Sequence, residues 1–303
     1  MSARELVILG TASQAPTRTR NHNGYLLRWD AEVILFDPGE GVQRQFVLAG
    51  VSASATTRVC ISHFHGDHCL GLPGLILRLA LDQGRAPVPI HYPASGERYF
   101  QRLRTASAGQ EEVDVDARPV EEPCVVHDDG SFTLRCERLR HRVEAFGWRI
   151  DEPDGRRMLP DRLAALGISG ADVGSLQRAG SLEVDGRVVT IDEVSEHRPG
   201  QSFAYVMDTA FCDAAIRLAA GADLVLCEAT FLSSDEHLAI EYGHLTARQA
   251  GRLAAEAGAR RLVLTHFSPR YPDVAAFADE AGEEFDDVVL AEDFQRIPVP
   301  SRR

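Results

Sequence analysis

Between His63 and His68 the chain packs three histidines and one aspartate into six residues, in the pattern H-x-H-x-D-H, at the end of the apolar run "RVCISH" (58–63). Such a run reads as a buried strand, and residues two apart on an extended chain point the same way. His63 and His65 therefore aim at one point. Gly66 permits the sharp turn that brings Asp67 and His68 in behind them. A single histidine is ordinarily structural, but four such residues at this spacing are not. Neutral imidazoles with a carboxylate suit zinc or a similar divalent ion.

Other apolar runs end in the same style. "ELVILG" (5–10) and "VILFDPG" (33–39) close on Gly or Asp, and "SFAYVMDT" (202–209), "ADLVLCEAT" (222–230) and "RRLVLTHF" (260–267) each close on a polar reactive residue. All read as sheet strands whose ends open onto loops. "CLGLPGLILRLALDQG" (69–84) reads as a helix stopped at Gly84, and residues 246–259 as an amphipathic helix. Alternating strands and helices with polar strand ends predict an α/β layered protein with its site at one sheet edge. The stretch 151–197 is rich in Gly, charges and short ambiguous segments, and reads as an arm inserted into a single domain spanning 1–303.

Two metals need more ligands than the cluster supplies. His141, Asp208 and His266 sit where strand ends would bring them close, which makes five His and two Asp. That set suits two ions about 3.5–4 Å apart. His22, His91, His127, His197 and His237 sit in no comparable setting and read as ordinary residues.

Composition narrows the classes. The apolar stretch after Cys69 is cut by Arg78, so no membrane span is expected, and the N-terminus lacks a signal-peptide core, which reads as cytoplasmic. Six cysteines without a C-x-x-C pair read as free thiols. The net charge of −13 by itself argues against a nucleic-acid partner. Every basic residue is Arg, a bidentate phosphate ligand.

On these motifs the chain resembles the metallo-β-lactamase superfamily, and within it most nearly ribonuclease Z, the tRNA 3'-processing endonuclease. The likeness runs through nearly the whole chain. Pro16, Arg18, Arg20 and Asn21 fit the family's P-x-K-x-R-N motif with Arg18 in place of Lys, and "HRVEAFGWRI", "CEATF", "GHLTARQA", "THFSPRY" and "AEDF" follow in the family's order. The ligand signature marks only the superfamily. The arginine loop, Glu228 and His244 are more specific.

The resemblance implies a four-layer αββα fold with a projecting exosite arm, working as a homodimer in which each arm reaches toward the partner's active site. It implies two zinc ions per subunit, with manganese or iron as alternatives. His63, His65 and His141 would hold one, Asp67, His68 and His266 the other, and Asp208 would bridge them. Asp67 would orient a hydroxide and take its proton, and His244, steered by Glu228, would protonate the leaving oxygen. Arg18, Arg20, Ser268 and Arg270 would clamp flanking phosphates. The implied substrate is precursor tRNA, cut on the 3' side of the discriminator nucleotide.

Some positions depart from the family pattern. Cys227 stands for the His of "HEAT", His244-Leu245-Thr246 for "HST", and Gly170-Ala171 for the arm's Gly-Pro. From Arg149 to Arg198 the arm region holds seven Arg against ten Asp plus Glu, whereas the family's arm is often basic. Two rivals stay open. A dinuclear-metal hydrolase of small phosphodiesters, esters or lactones would need the ligands but neither the arginine loop nor the Glu228–His244 pair. A non-catalytic RNA-binding protein would not need the intact ligand set.

Overall fold

The structure, a computed structural model, describes residues 4–81 and 87–302. It divides into two compact units, Met1–Asp151 with Ser202–Pro300, and Glu152–Gln201 with Ser301–Arg303.

The larger unit holds two seven-stranded sheets. The first runs Arg296–Pro298, Glu5–Gly10, Gly24–Trp29, Glu32–Phe36, Arg58–Cys60, Pro89–Pro93, Asp116–Val120. The second runs Val288–Leu290, Leu262–Thr265, Leu224–Glu228, Ser202–Val206, Ala145–Asp151, Thr133–Leu139, Val125–Asp128. Strand alternation builds the layers. In Glu5–Gly10, Leu6 and Ile8 pack into the core between the sheets, with Phe36, Trp148, Phe203 and Leu226. Val7 and Leu9 point the other way, toward helices Val42–Leu48, Leu72–Ala80 and Glu97–Arg104. Helices Asp213–Ala219, Ala247–Ala257 and Ala275–Gly282 cover the outer face of the second sheet. The order is helix, sheet, sheet, helix.

The expected helix over 69–84 is instead two. Gly66–Cys69 forms one turn, and Leu72–Ala80 starts afresh with Pro73 in its first turn. The break falls at Gly71, whose backbone lies so close to Gly39 that a Cβ there would meet the Gly39 oxygen at 2.1 Å. The expected stop at Gly84 lies outside the described residues. Helix Ala247–Ala257 begins as expected, with Thr246 and Gln249 closing a capping box.

The smaller unit has its own apolar cluster of Leu163, Ile168, Leu176, Val189 and Val194. Two antiparallel strand pairs frame it, Gly155–Met158 with Ser195–Arg198 and Ser181–Val184 with Arg187–Thr190. Several of its arginines are already paired: Arg156 with Asp192, Arg157 with Glu196, Arg187 with Glu193, Arg198 with Glu152. Among the described residues no helix is long and apolar enough to cross a membrane.

His91 shows how the core excludes a charge. It is buried, and Arg58 Nη1 lies 3.2 Å from its Nε2. A guanidinium only donates, so Nε2 must stay an unprotonated acceptor. Burial and then Arg58 push the His91 pKa down to about 3 from 6.5. As pH falls through that window the unfolded chain gains a proton that the folded chain refuses, so stability is lost toward acid. Between pH 7 and pH 5 this amounts to about 2 kcal/mol. His91→Gln, which can still accept from Arg58, should remove about that much of the acid sensitivity in denaturant melts at the two pH values. Equal losses in variant and wild type would show that His91 titrates normally.

Candidate metal centre

Strand ends from both sheets place the candidate ligands together. Arg58–Cys60 delivers His63, His65, Asp67 and His68, Thr133–Leu139 delivers His141, Ser202–Val206 delivers Asp208, and Leu262–Thr265 delivers His266. One group of converging ligand atoms comprises His63, His65, His141 and Asp208, and another Asp67, His68 and His266, each within 4.8 Å of one another. Asp208 lies between the groups. Its Oδ2 is 3.5 Å from His63 Nε2 and 3.4 Å from His68 Nε2, and its Oδ1 is 3.3 Å from His266 Nε2.

Hydrogen bonds behind the rings fix which nitrogen faces inward. His141 Nδ1 meets the Gly243 carbonyl at 2.9 Å, and a carbonyl only accepts, so the proton sits on Nδ1 and Nε2 presents a lone pair. His68 Nδ1 donates to Asp37 Oδ2 at 2.7 Å by the same logic. The Ser62 hydroxyl donates to Asp37 at 2.6 Å, so it must accept from His63 Nδ1. The Thr230 hydroxyl donates to Glu228 at 2.6 Å, so it must accept from His266 Nδ1. Four imidazoles thus turn Nε2 toward two carboxylates. His65 turns Nδ1 inward, 2.9 Å from His63 Nε2 and 3.3 Å from His141 Nε2.

Lone pairs and carboxylate oxygens facing one another repel unless a cation lies among them. Two buried atoms sharpen the point: Asp208 Oδ1 and His266 Nε2 have no hydrogen-bond partner. The electrostatics agree. Burial, with neighbouring imidazoles, holds His63, His65 and His141 low, and therefore neutral. Burial also opposes charge on His68, yet Asp208, Asp67 and Asp37 outweigh it and push its pKa well up. These carboxylates draw in a proton, and a divalent cation answers the same demand. The donor set of imidazole and carboxylate fits such an ion.

The backbone is held in the left-handed region here, with φ of 59° at Gln14, 48° at Asp37, 47° at Asp208 and 62° at His266. Non-glycine residues in that region store strain, which collects at functional sites. The Gln14 amide donates to Asp67 Oδ2 at 2.8 Å and so orients that carboxylate.

Glu228 and His244 form a second unit beside the cluster. Glu228 is fully buried and accepts from His244 Nδ1, the Thr209 and Leu245 amides and the Thr230 hydroxyl. Burial raises its pKa, but the charge and hydrogen bond of His244 outweigh this and bring it down. Burial pulls His244 down, but Glu228 and then Asp208 push it up to about 9. His244 also falls within ligand range of Asp208 and His266. However, its Nδ1, 4.0 Å from Asp208, is the nitrogen bonded to Glu228.

A cleft of about 540 Å³ opens over the ligands, with Leu70, Phe231 and Tyr242 as apolar walls and Arg142 and Arg270 as cations. Ser268 and Arg270 line it, Arg270 reaching toward Asp235 at 3.3 Å. Arg18 is exposed and is not among the lining residues. Arg20 is half-buried and donates to the Tyr271 carbonyl at 2.6 Å, so it ties its loop down. His22, read as ordinary, lines the cleft and meets Gln14 O at 3.2 Å.

Sequence reasoning passed over Asp37, Ser62, Thr230 and the Gly243 carbonyl. Asp37 carried a usable signal, because it ends an apolar run as Asp208 does.

Comparison with known proteins adds the ancestry. The profile of the metallo-beta-lactamase superfamily matches residues 17–211, and that of the beta-lactamase superfamily domain matches residues 188–267. The chain is 60% identical over 305 residues to ribonuclease Z of Nocardia farcinica, covering 100% of both. It is 58% identical over 304 residues to ribonuclease Z of Salinispora arenicola, covering 100% of this chain and 98% of the other. Among solved structures, the short form of human tRNase Z superposes with a TM-score of 0.69 at 25% identity, covering 98% of this chain and 100% of that one. Identity at this level, sustained from end to end in two relatives of the same name, places the chain in the ribonuclease Z family of the metallo-beta-lactamase superfamily.

Proposed function

We propose that the protein is a zinc-dependent endoribonuclease that cuts precursor tRNA on the 3' side of the discriminator nucleotide. The tRNA would keep a 3'-hydroxyl and the trailer a 5'-phosphate. The observation that carries this reading is the buried Glu228–His244 pair, because the ligand cluster alone would serve any hydrolase of the superfamily.

Two zinc ions fit the residues as His63, His65 and His141 for one, Asp67, His68 and His266 for the other, and Asp208 between. When bound, such ions lower the pKa of water toward 7 and so make hydroxide available at neutral pH. Asp67, steadied by the Gln14 amide, orients the attacking oxygen and takes its proton. The new P–O bond forms as the bond to the ribose 3'-oxygen breaks. That oxygen takes a proton from His244 Nε2, whose ring Glu228 holds through Nδ1. Ser268, Arg270 and the Arg18 loop bind flanking phosphates.

The protein acts in the cytoplasm, as a homodimer. Exposed Val47, Leu48, Leu77 and Leu81, on and beside helices Val42–Leu48 and Leu72–Ala80, support a partner there. The unit Glu152–Gln201 is the candidate exosite, although its paired arginines leave few free cations for RNA.

Three experiments test these assignments. Asp67→Ala and His68→Ala should each lower bound metal and abolish cleavage of a precursor tRNA lacking CCA, with circular dichroism unchanged. Near-normal turnover at full metal content would sink the dinuclear mechanism.

His244→Ala should slow tRNA cleavage by roughly 10²–10⁴. The loss should shrink on a p-nitrophenyl phosphodiester, whose leaving group needs no proton. Equal losses on both substrates would make His244 a positioning residue or a ligand.

Asp151 and Ser202 pair directly across two strands, so a Gly/Ser turn of about four residues can replace Glu152–Gln201. That deletion should spare small phosphodiesters and raise KM for precursor tRNA. Unchanged tRNA affinity and salt dependence would remove the arm from RNA binding.

A further inference from the structure

In a protein of net charge −13, most described arginines on the larger unit lie against carboxylates, as in Arg138 with Glu144, Arg217 with Glu137, Arg260 with Asp223 and Arg261 with Asp287. Helix Glu97–Arg104 departs from that habit. Arg98 and Arg102 are exposed, and among the described residues no carboxylate forms an ion pair with either. The one acid of the helix, Glu97, is occupied by the Tyr92 hydroxyl at 2.6 Å and by Gln101 at 2.7 Å. Residues four apart share a helix face, so two positive charges at these positions disfavour one another and favour a nearby anion.

The helix is anchored to the loop that bears the ligands. Phe64 stands between His63 and His65, and its ring lies against Gly96, where a Cβ would come 2.0 Å from Phe64 Cδ2. The Gly96 backbone, at φ −88° and ψ 0°, is open to any residue, so the glycine is there to admit the ring. Phe64 stacks on Tyr99 with centroids 6.1 Å apart and planes at 28°. The Arg98 guanidinium lies 4.6 Å from the Tyr99 centroid and donates to its hydroxyl. Phe64, Tyr99 and Arg98 form one ladder that holds the cation in place beforehand and limits the entropy lost on binding.

We propose that Arg98 and Arg102 form a phosphate-binding subsite for the precursor RNA engaged at the metal centre. This rests on the reading of the protein as a precursor-tRNA nuclease. Arginine held on an aromatic ring, on a helix packed against the residue between two of the candidate ligands, matches a ribose–phosphate backbone by charge and by bidentate geometry. It also answers how so acidic a chain, with the arginines of its smaller unit largely paired, holds RNA.

The test is the double variant Arg98→Ala/Arg102→Ala, compared with wild type on a precursor tRNA lacking CCA across a salt series. Metal content and hydrolysis of bis(p-nitrophenyl) phosphate are read in parallel. The expected result is a KM for RNA raised roughly tenfold with kcat changed by less than about twofold. The slope of log K against log[salt] should flatten by about 1.4 to 1.8, the loss of two phosphate contacts. Unchanged KM and slope would overturn the proposal. So would lost metal or a matching loss on the small substrate, because the arginines would then act through Phe64 on the ligands. A shift to a smaller sedimenting species would assign the patch to contact with a second copy, and would overturn it too. Wild-type protein that leaves precursor tRNA uncut would instead reject the nuclease reading itself.

Discussion

The buried carboxylate of Asp37 holds the site together. It is fully buried and takes four hydrogen bonds: the Ser62 amide on Oδ1 at 2.6 Å, and the Ser62 hydroxyl, the Tyr205 hydroxyl and His68 Nδ1 on Oδ2 at 2.6, 2.6 and 2.7 Å. Asp37 and Ser62 belong to the first sheet's edge, and Tyr205 to a central strand of the second. One residue therefore joins the two sheets and sets the tautomers of His63 and His68. Glu228 plays the matching part on the second sheet, fixing His266 through Thr230 while holding His244 directly. Each acid is satisfied by donors of the protein, which leaves the inward lone pairs for a cation.

This arrangement resolves the mismatch between an acidic chain and a polyanionic partner. The net charge of −13 counts carboxylates that never face solvent as free charge: Asp37, Asp208 and Glu228 are buried against imidazoles and hydroxyls. Other acids are tied to arginines in ion pairs. What a substrate meets is the local field over the cleft, where Arg142 stands beside aromatic walls and Arg270 is shared with Asp235. Total charge governs long-range attraction and solubility, while the cations within a Debye length decide whether RNA is held.

Much of the candidate site was legible in the sequence because its residues lie in a local pattern. The H-x-H-x-D-H pattern needs only strand geometry and one glycine to be read as a ligand cluster, and Asp208 and His266 follow from apolar runs that stop on a reactive residue. The layers follow from the alternation of Glu5–Gly10, and helix Ala247–Ala257 from its capping box. What escaped depends on contacts between distant residues. Nothing near Gly96 announces that Phe64 fills the space where its Cβ would be, and nothing near Gly71 announces Gly39. The Ser62 and Thr230 relays join residues whose types are common everywhere in the chain. The segment after Asp151 looked irregular because its elements are four to nine residues long, too short for periodicity to separate them, although they enclose a cluster of their own.

The distribution of ligands over the fold has an energetic consequence. His63, His65, Asp67 and His68 follow one strand of the first sheet, while His141, Asp208 and His266 follow three strands of the second. A cation held among them would tie strand ends of the two sheets together, beside the core of Leu6, Phe36, Trp148 and Leu226. Because the unfolded chain offers no such preformed set, binding free energy adds to folding free energy. The same geometry explains the strain at Asp37, Asp208 and His266. A left-handed residue costs on the order of 1–3 kcal/mol, and three of them at strand ends of the two sheets persist because the surrounding hydrogen bonds and the ligand cluster hold each in place. Without a cation the hydrogen bonds would still hold those residues, but the facing lone pairs would lose their compensation. The strand ends that carry the ligands, and not the core, are therefore where a bound cation would add most to stability.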